Sequence, residues 1–298
     1  MLSTTLSGLL SCGLLTAGLL SGTGVATATP TAITDANWAG YADTLPSNSG
    51  YTIISASGYW TVPTVQSPAG SSSAYSSFWV GIDGFNNKSL EQIGITADVL
   101  KGVPVYFGWW EMLTASTTPP QQIITDVVIS SGDKIGAGIV YNPATQAFNM
   151  LLEDVTSGAS FTTTQTGDGT GMSAEWVAED PTIMATGKLF TLANFGTVDF
   201  SGAGLGVENS AGSIFNGPVD SISNMGGTTY AMAIVQNNNA MALPGVLSDS
   251  GSGAGASSSF TVTYQQPVPQ PPALDFLALA GMAILFIRRR AGGRKKRL

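Results

Sequence analysis

The sequence contains no histidine, and its only cysteine is Cys12. A Ser-His-Asp triad, a Cys-His pair and a histidine-ligated zinc site are therefore excluded. Because Cys12 is alone, an intramolecular disulfide is excluded as well. Any catalysis has to come from carboxylates, amides, hydroxyls or the few lysines, and we predict neither a metal site nor a cofactor.

Charged residues are also scarce: they make up 10% of the 298 residues, against about a quarter in an average soluble protein. Seven of the 11 basic residues lie between Arg288 and Arg297. Residues 1–287 hold four lysines and all 19 acids, which gives this part of the chain a net charge of −15. A segment with this charge has no basic surface that could bind nucleic acid, so we expect no nucleic-acid partner.

The first 28 residues have the features of a secretory signal peptide. Pairs of leucines form an apolar region, and Ala26 to Ala28 provides a cleavage site made of small residues. The usual basic residues at the start are missing. Two other interpretations therefore stay open, a buried N-terminal segment and a lipoprotein with Cys12 as its acylated residue.

Residues 265–298 form a second distinct segment. A proline-rich stretch precedes 12 apolar residues, Phe276 to Ile287, and a basic tail follows them. The apolar run is shorter than the ~20 residues that span a bilayer. The order of these features resembles the bacterial PEP-CTERM sorting signal, with Pro269-Gln270-Pro271 in place of Pro-Glu-Pro. This resemblance implies export, attachment at the cell envelope through the apolar helix and an exosortase-type processing enzyme as a partner; a plain tail anchor is the alternative.

The segment between these ends, residues 29–264, is predicted to be one β domain. It contains eleven or more short runs rich in Val, Ile, Thr and aromatic residues, which are separated by turn signals such as SNSG, GFNNKS and TGDGTG. No stretch keeps a period of 3.6 residues. This pattern favours an antiparallel β-sandwich or barrel.

Acids and aromatic residues occur together in two of the predicted strands. In the stretch GMSAEWVAEDP, residues 171–181, a strand places Glu175 and Glu179 on one face and Ala174, Trp176 and Ala178 on the other. Glu111 lies in a second such context, GWWEML. Glycosidases use a pair of acids, often in a groove lined by aromatic residues. A carbohydrate-active or carbohydrate-binding β-sandwich is therefore an alternative interpretation. A non-catalytic surface protein with solvated acids is a further alternative.

Six segments in order resemble the glutamic peptidases, or eqolisins: ANWAGY (36–41), GYWTVP (58–63), FWVGIDG (78–84), EQIG (91–94), WWEM (109–112) and AEWVAEDP (174–181). The resemblance covers roughly residues 36–264. It implies an antiparallel β-sandwich of two seven-stranded sheets, of the concanavalin A-like or jelly-roll type, with a polypeptide substrate on the concave face of one sheet.

The resemblance also implies the residues of the active site. It assigns Gln92 as the catalytic glutamine and Glu175 as the catalytic glutamate. The substrate-binding positions that it implies are Trp38, Trp79, Asp83, Trp110 and Glu111. In this scheme the glutamate takes a proton from water and passes it to the leaving amine, while the glutamine amide stabilises the oxyanion. We therefore predict a monomeric, exported endopeptidase with a rate maximum below about pH 5, since neighbouring carboxylates raise each other's pKa.

Overall fold

The computed structural model describes residues 29–46, 48–183, 185–209, 212, 220–224, 227–251, 253 and 255–266. The predicted signal peptide and the apolar and basic parts of the C-terminal segment lie outside the described residues. Contacts between Cα atoms separate the chain into Met1–Gln266 and Pro267–Leu298. Within the described ranges, no helix is long and apolar enough to cross a membrane.

The regular secondary structure of the described residues is β-strand, as predicted, apart from one 3₁₀ turn at Ile222–Asn224. In chain order, the strands are β1 (Thr31–Asp35), β2 (Trp38–Thr44), β3 (Tyr51–Thr61), β4 (Ser77–Ile82), β5 (Leu90–Leu100), β6 (Val103–Leu113), β7 (Gln122–Ile124), β8 (Lys134–Asn142), β9 (Ala147–Asp154), β10 (Ala159–Thr166), β11 (Ser173–Glu179), β12 (Thr182–Ile183), β13 (Lys188–Leu189), β14 (Thr197–Asn209), β15 (Asp220–Ser221), β16 (Thr228–Gln236), β17 (Asn239–Pro244), β18 (Ser248–Asp249) and β19 (Ser258–Tyr264).

Two runs of antiparallel strands make up most of the fold. One run has the order β2-β11-β4-β5-β6-β7, and the other has the order β19-β14-β3-β8-β9-β10. The predicted division into two seven-stranded sheets is not confirmed, because β17 pairs with both β16 and β19 and joins the strands into one sheet of 17. The fold is consistent with a β-sandwich whose two layers remain hydrogen-bonded at one edge.

The main hydrophobic core lies between these two runs, where β3 and β8 pack against β4 and β5. Alternation along β11 determines which side chains enter it. Ala174, Trp176 and Ala178 belong to this core, as the sequence pattern predicts, and the indole N–H of Trp176 donates to the backbone oxygen of Ser57 across the layers at 2.8 Å. Val177 belongs instead to a smaller cluster on the outer face of the same sheet.

The outer face of β4, β5 and β6 carries a different set of side chains. On β5 the odd positions Ile93, Ile95 and Ala97 point into the core, whereas Gln92, Thr96 and Asp98 line a groove. On β6 the groove residues are Phe107, Trp109, Glu111 and Leu113. Because side chains alternate between faces, a two-residue period on two paired strands builds one continuous polar and aromatic surface.

Candidate active site

The groove has a volume of about 950 Å³ and runs across strands β2, β11, β4, β5 and β6. Its acidic lining residues are Asp35, Asp98, Glu111 and Glu179. None of the described residues that line it is Lys or Arg. Aromatic side chains, among them Trp38, Phe107 and Trp109, form much of the remaining wall.

Gln92 and Glu111 are direct cross-strand neighbours on β5 and β6. The side-chain amide of Gln92 donates from Nε2 to Oε2 of Glu111 at 2.8 Å, while Oε1 of Gln92 is buried without a partner among the described residues. Burial raises the pKa of Glu111 to about 7, and the hydrogen bond from Gln92 opposes this shift. One N–H of the amide is thus used to fix its orientation, and the other remains for a ligand.

Glu179, at the end of β11, is the second acid of this part of the groove. Its Oε2 accepts a hydrogen bond from Trp79 Nε1 at 2.7 Å, and its Oε1 accepts one from Asn37 Nδ2 at 3.0 Å. Burial, together with the charge of Glu111, raises its pKa to about 7 against these bonds. The two carboxyls are therefore within electrostatic reach of each other, and both face the groove.

The position of Trp79 depends on a glycine in the neighbouring strand. A Cβ atom at Gly94 would lie 2.5 Å from the Cβ of Trp79 and 2.2 Å from the backbone oxygen of Phe78, so only glycine allows this close approach. The Trp79 ring is fully buried and meets the ring of Trp38 edge-on, with 5.0 Å between the centroids. The indole of Trp79, packed against Trp38, therefore holds the carboxyl of Glu179 from within the protein.

The structure does not bring Glu175 into the groove. Its side chain is fully buried, and neither of its oxygens has a partner with hydrogen-bond geometry among the described residues. Burial raises its pKa well above the usual value; the nearby hydroxyl of Ser173 opposes this shift, and the carboxyls of Asp83 and Glu91 reinforce it. The backbone of Phe85, in the turn after β4, lies close to the carboxyl. Gln92 and Glu179 thus both line the groove, whereas the turn after β4 covers Glu175, the other acid on the same strand face.

Three predicted substrate-binding residues also lie outside the groove lining: Asp83, Trp110 and the fully buried Trp79. Asp83 is fully buried and accepts hydrogen bonds from the backbone N–H groups of Thr170, Gly171 and Met172 at 2.6 to 2.9 Å, so it holds the loop before β11. Trp110 packs against the main core, because its position on β6 faces inward. Trp38 and Glu111 line the groove, and their part in substrate binding stays a prediction.

Three residues of the groove were missed by the sequence reasoning. Trp109 could have been found, because it shares the two-residue period of Glu111 whereas Trp110 does not. Glu179 could not be distinguished from Glu175, because the two acids are four residues apart and occupy the same strand face. Asp98 carried no local signal that set it apart. The described residues contain no group of three or more acidic or cysteine side chains that could hold a metal ion.

Comparisons with known proteins identify the family and the fold. Residues 36–244 match the family model described as Peptidase A4 family. The fold is similar to scytalido-glutamic peptidase in complex with a transition state analog inhibitor, at 21% identity and a TM-score of 0.57, over 78% of this chain and 99% of that chain. It is also similar to SCP-B, a member of the eqolisin family in complex with the tripeptide Ala-Ile-His, at 21% identity and a TM-score of 0.55, with the same coverage. A search of curated proteins gives no match.

Proposed function

The chain belongs to the Peptidase A4 family and is a glutamic-type endopeptidase, and we propose that Gln92 and Glu179 are the pair with which it hydrolyses peptide bonds. The observation that carries this assignment is that both side chains line the same groove, each fixed by a directed hydrogen bond, whereas Glu175 is covered. Family membership favours a polypeptide substrate over the carbohydrate-active and non-catalytic alternatives.

In the proposed reaction, Glu179 accepts a proton from a water molecule, and the water oxygen attacks the carbonyl carbon of the peptide bond. The second N–H of Gln92 Nε2 donates to the oxyanion that forms. Glu179 then gives the proton to the leaving nitrogen, and the C–N bond breaks. The hydrogen bonds from Trp79 and Asn37 hold the carboxyl in position, and Glu111 orients the amide of Gln92.

We expect activity on the acid side of neutrality. Glu179 must be ionised to accept a proton, while its neighbour Glu111 must keep its proton if the two charges are not to repel each other. Because both pKa values are raised to about 7, the doubly ionised form increases as pH rises through 7, and the rate should fall there. The scheme therefore places the rate maximum nearer to pH 7 than to pH 5, and the maximum below about pH 5 predicted from the sequence stays a prediction that the same pH profile tests.

The direct test is cleavage of a denatured protein by the purified chain, measured from pH 3 to pH 8 beside a panel of polysaccharides. We expect peptide products on the acid side and no polysaccharide cleavage. Inhibitors of serine and cysteine peptidases and chelators should have no effect, since the chain lacks the histidine that those enzymes use. An optimum above pH 8, or loss of activity with a chelator, would contradict the proposal.

We further propose that the protein is exported and held at the cell envelope by residues 265–298. The support is in the sequence alone, where 12 apolar residues are followed by seven basic residues that resist translocation. Deletion of these residues should release active protein into the medium. If the truncated and full-length chains fractionate alike, this proposal is wrong.

A further inference from the structure

The groove contains a further buried carboxyl, that of Asp98, apart from the proposed catalytic pair Gln92 and Glu179. Asp98 is six residues along β5 from Gln92, which is about 20 Å at ~3.4 Å per residue. The two residues are on the same strand face, and both line the groove. Asp98 is only 7% exposed. A carboxyl this buried needs a partner, and the backbone N–H of Ser76, which donates to its Oδ1 at 3.1 Å, engages one of its two oxygens among the described residues.

Two aromatic rings line the groove on the strand face of this carboxyl. The pairing Ser77↔Thr96 continues without a shift to the bridge Ala74↔Val99, so Tyr75 lies directly opposite Asp98. Side chains opposite each other on antiparallel strands have their Cβ atoms about 5 Å apart. The ring of Tyr75 packs against Phe190, with 4.0 Å between the centroids, and both rings line the groove.

Asp98, Tyr75 and Phe190 form a corner of the groove whose side chains favour cations over neutral groups. A carboxylate forms its strongest hydrogen bonds with ammonium and guanidinium groups, and aromatic faces attract the same cations. Among the described residues, no lysine forms an ion pair with Asp98, and the groove lining contains no basic residue that could compete. The corner is thus complementary to a cationic group that arrives from outside the chain.

We infer that Asp98, Tyr75 and Phe190 form a subsite that accepts a lysine or arginine side chain of the substrate several residues away from the bond that is cleaved. This inference rests on the proposed peptidase function and adds a preference to it. Asp98 acts in substrate recognition only, because it lies too far from Gln92 to reach the reacting atoms.

The test uses peptides of about twelve residues that share one cleaved bond and contain a single lysine, which is moved stepwise along the peptide. Each is paired with a peptide that has norleucine at the same position, and kcat/KM is measured for both with the full-length protein. We expect a lysine preference of about tenfold at one position, or at two adjacent ones, three to six residues from the cleaved bond, since a hydrogen bond to a charged group has this magnitude.

Two protein variants and one modified peptide test whether the lysine preference arises from the charge of Asp98. Asp98→Asn keeps an acceptor for Ser76 but removes the charge, so the ratio of lysine to norleucine should fall to about one. Asp199→Asn, at an exposed position of β14, removes one charge elsewhere and should leave the ratio at its wild-type value. In the wild-type protein, ε-N-acetyl-lysine in place of lysine should lower kcat/KM to the norleucine value, which tests the charge even if Asp98→Asn does not fold.

The ratio should also depend on pH in one direction. Burial raises the pKa of Asp98 to about 7, so at pH 4 the carboxyl is protonated and attracts a cation less strongly than at pH 6.5. The other titratable groups that line the groove are Asp35, Tyr75, Glu111 and Glu179, and Asp98→Asn leaves all of them in place. The increase of the lysine preference from pH 4 to pH 6.5 should therefore disappear in that variant.

The outcomes separate the two proposals. If no peptide is cleaved at any pH, the peptidase proposal fails. If peptides are cleaved without a lysine preference at any position, or with a preference that Asp98→Asn leaves unchanged, the peptidase proposal stands and the subsite is wrong.

Discussion

The groove acids Glu111 and Glu179 differ from the buried acid cluster of Asp83, Glu91 and Glu175 in their partners and their access to the groove. Burial raises the pKa of most of these carboxyls, to about 7 in the groove and to about 9 at Glu91. The groove acids accept directed hydrogen bonds from Gln92, Trp79 and Asn37, whereas the oxygens of Glu91 and Glu175 have no such partner among the described residues. A raised pKa is therefore common to both sets of acids, and what distinguishes the groove acids is their directed hydrogen-bond donors and their access to the groove.

The largest effect is expected from exchanging the two acids of β11 one at a time. Glu179→Gln should lower kcat by about 10²–10⁴, because the variant cannot accept the proton of water. Glu175→Gln should retain most of the activity, because a neutral amide replaces a carboxyl that burial already keeps protonated. Single-turnover peptide cleavage at pH 5 measures both, with circular dichroism to show that each variant is folded. A folded, inactive Glu175→Gln beside an active Glu179→Gln would reverse the assignment.

Removal of the amide partner should have the next largest effect. Gln92→Ala removes the donor to the oxyanion and should lower kcat by about 10²–10³. Gln92→Glu should not restore the rate, because it places a third carboxyl beside Glu111 and Glu179. The matched control is Gln122→Ala, at an exposed position on β7, which should have near wild-type kcat. If Gln92→Glu recovers the wild-type rate, the oxyanion role is excluded.

A smaller effect should follow from weakening the support of Glu179. Trp79→Phe keeps a buried aromatic ring at this position but removes the indole N–H that favours the charged carboxylate. The pKa of Glu179 should rise further, and the acid side of the profile of kcat/KM against pH should move to higher pH. Below this limb we expect about a tenfold loss, in line with one hydrogen bond to a charged group. An unchanged limb would show that Glu179 does not determine it.

The smallest expected effect is on thermal stability, and it arises from the buried acid cluster rather than from the groove. Carboxyls with a raised pKa in the fold stabilise it fully below about pH 4.5, their unfolded value, and this stability is lost as pH rises toward the folded pKa. The melting temperature should therefore fall between pH 4.5 and pH 9, the range from the ordinary value to that of Glu91. Glu175→Gln should raise it at pH 8, by about 2–4 °C for each kcal/mol recovered, and not at pH 4.

The control for this measurement is Asp126→Asn, an exposed acid, which should leave the dependence of the melting temperature on pH unchanged. A wild-type protein that is more stable at pH 8 than at pH 4 would contradict the signs of these shifts. In that case Glu175 would not be neutral in the folded protein, and the expectation that Glu175→Gln retains most of the activity would no longer hold.

Several features of the site followed from the order of residues alone. The β class, the inward direction of Trp176 on β11 and the presence of Gln92, Trp38 and Glu111 in the groove all depend on two-residue alternation or on segments that stand in a family's order. Alternation is a local property of an extended chain, so a sequence reveals it directly. Had it been applied to β6, it would have selected Trp109 over Trp110.

Other features were decided only by the tertiary structure. Glu175 and Glu179 have the same strand, the same face and the same chemistry, and what separates them is the turn after β4, which is close to them only once β4 has paired with β11. The continuous sheet depends in the same way on β17, whose pairing with β16 and β19 no local pattern encodes. The sequence by itself determined which residues alternate between the two faces of each strand. Which of those faces is covered and which stays open depends on contacts between distant segments, and these decided which acid can meet a substrate.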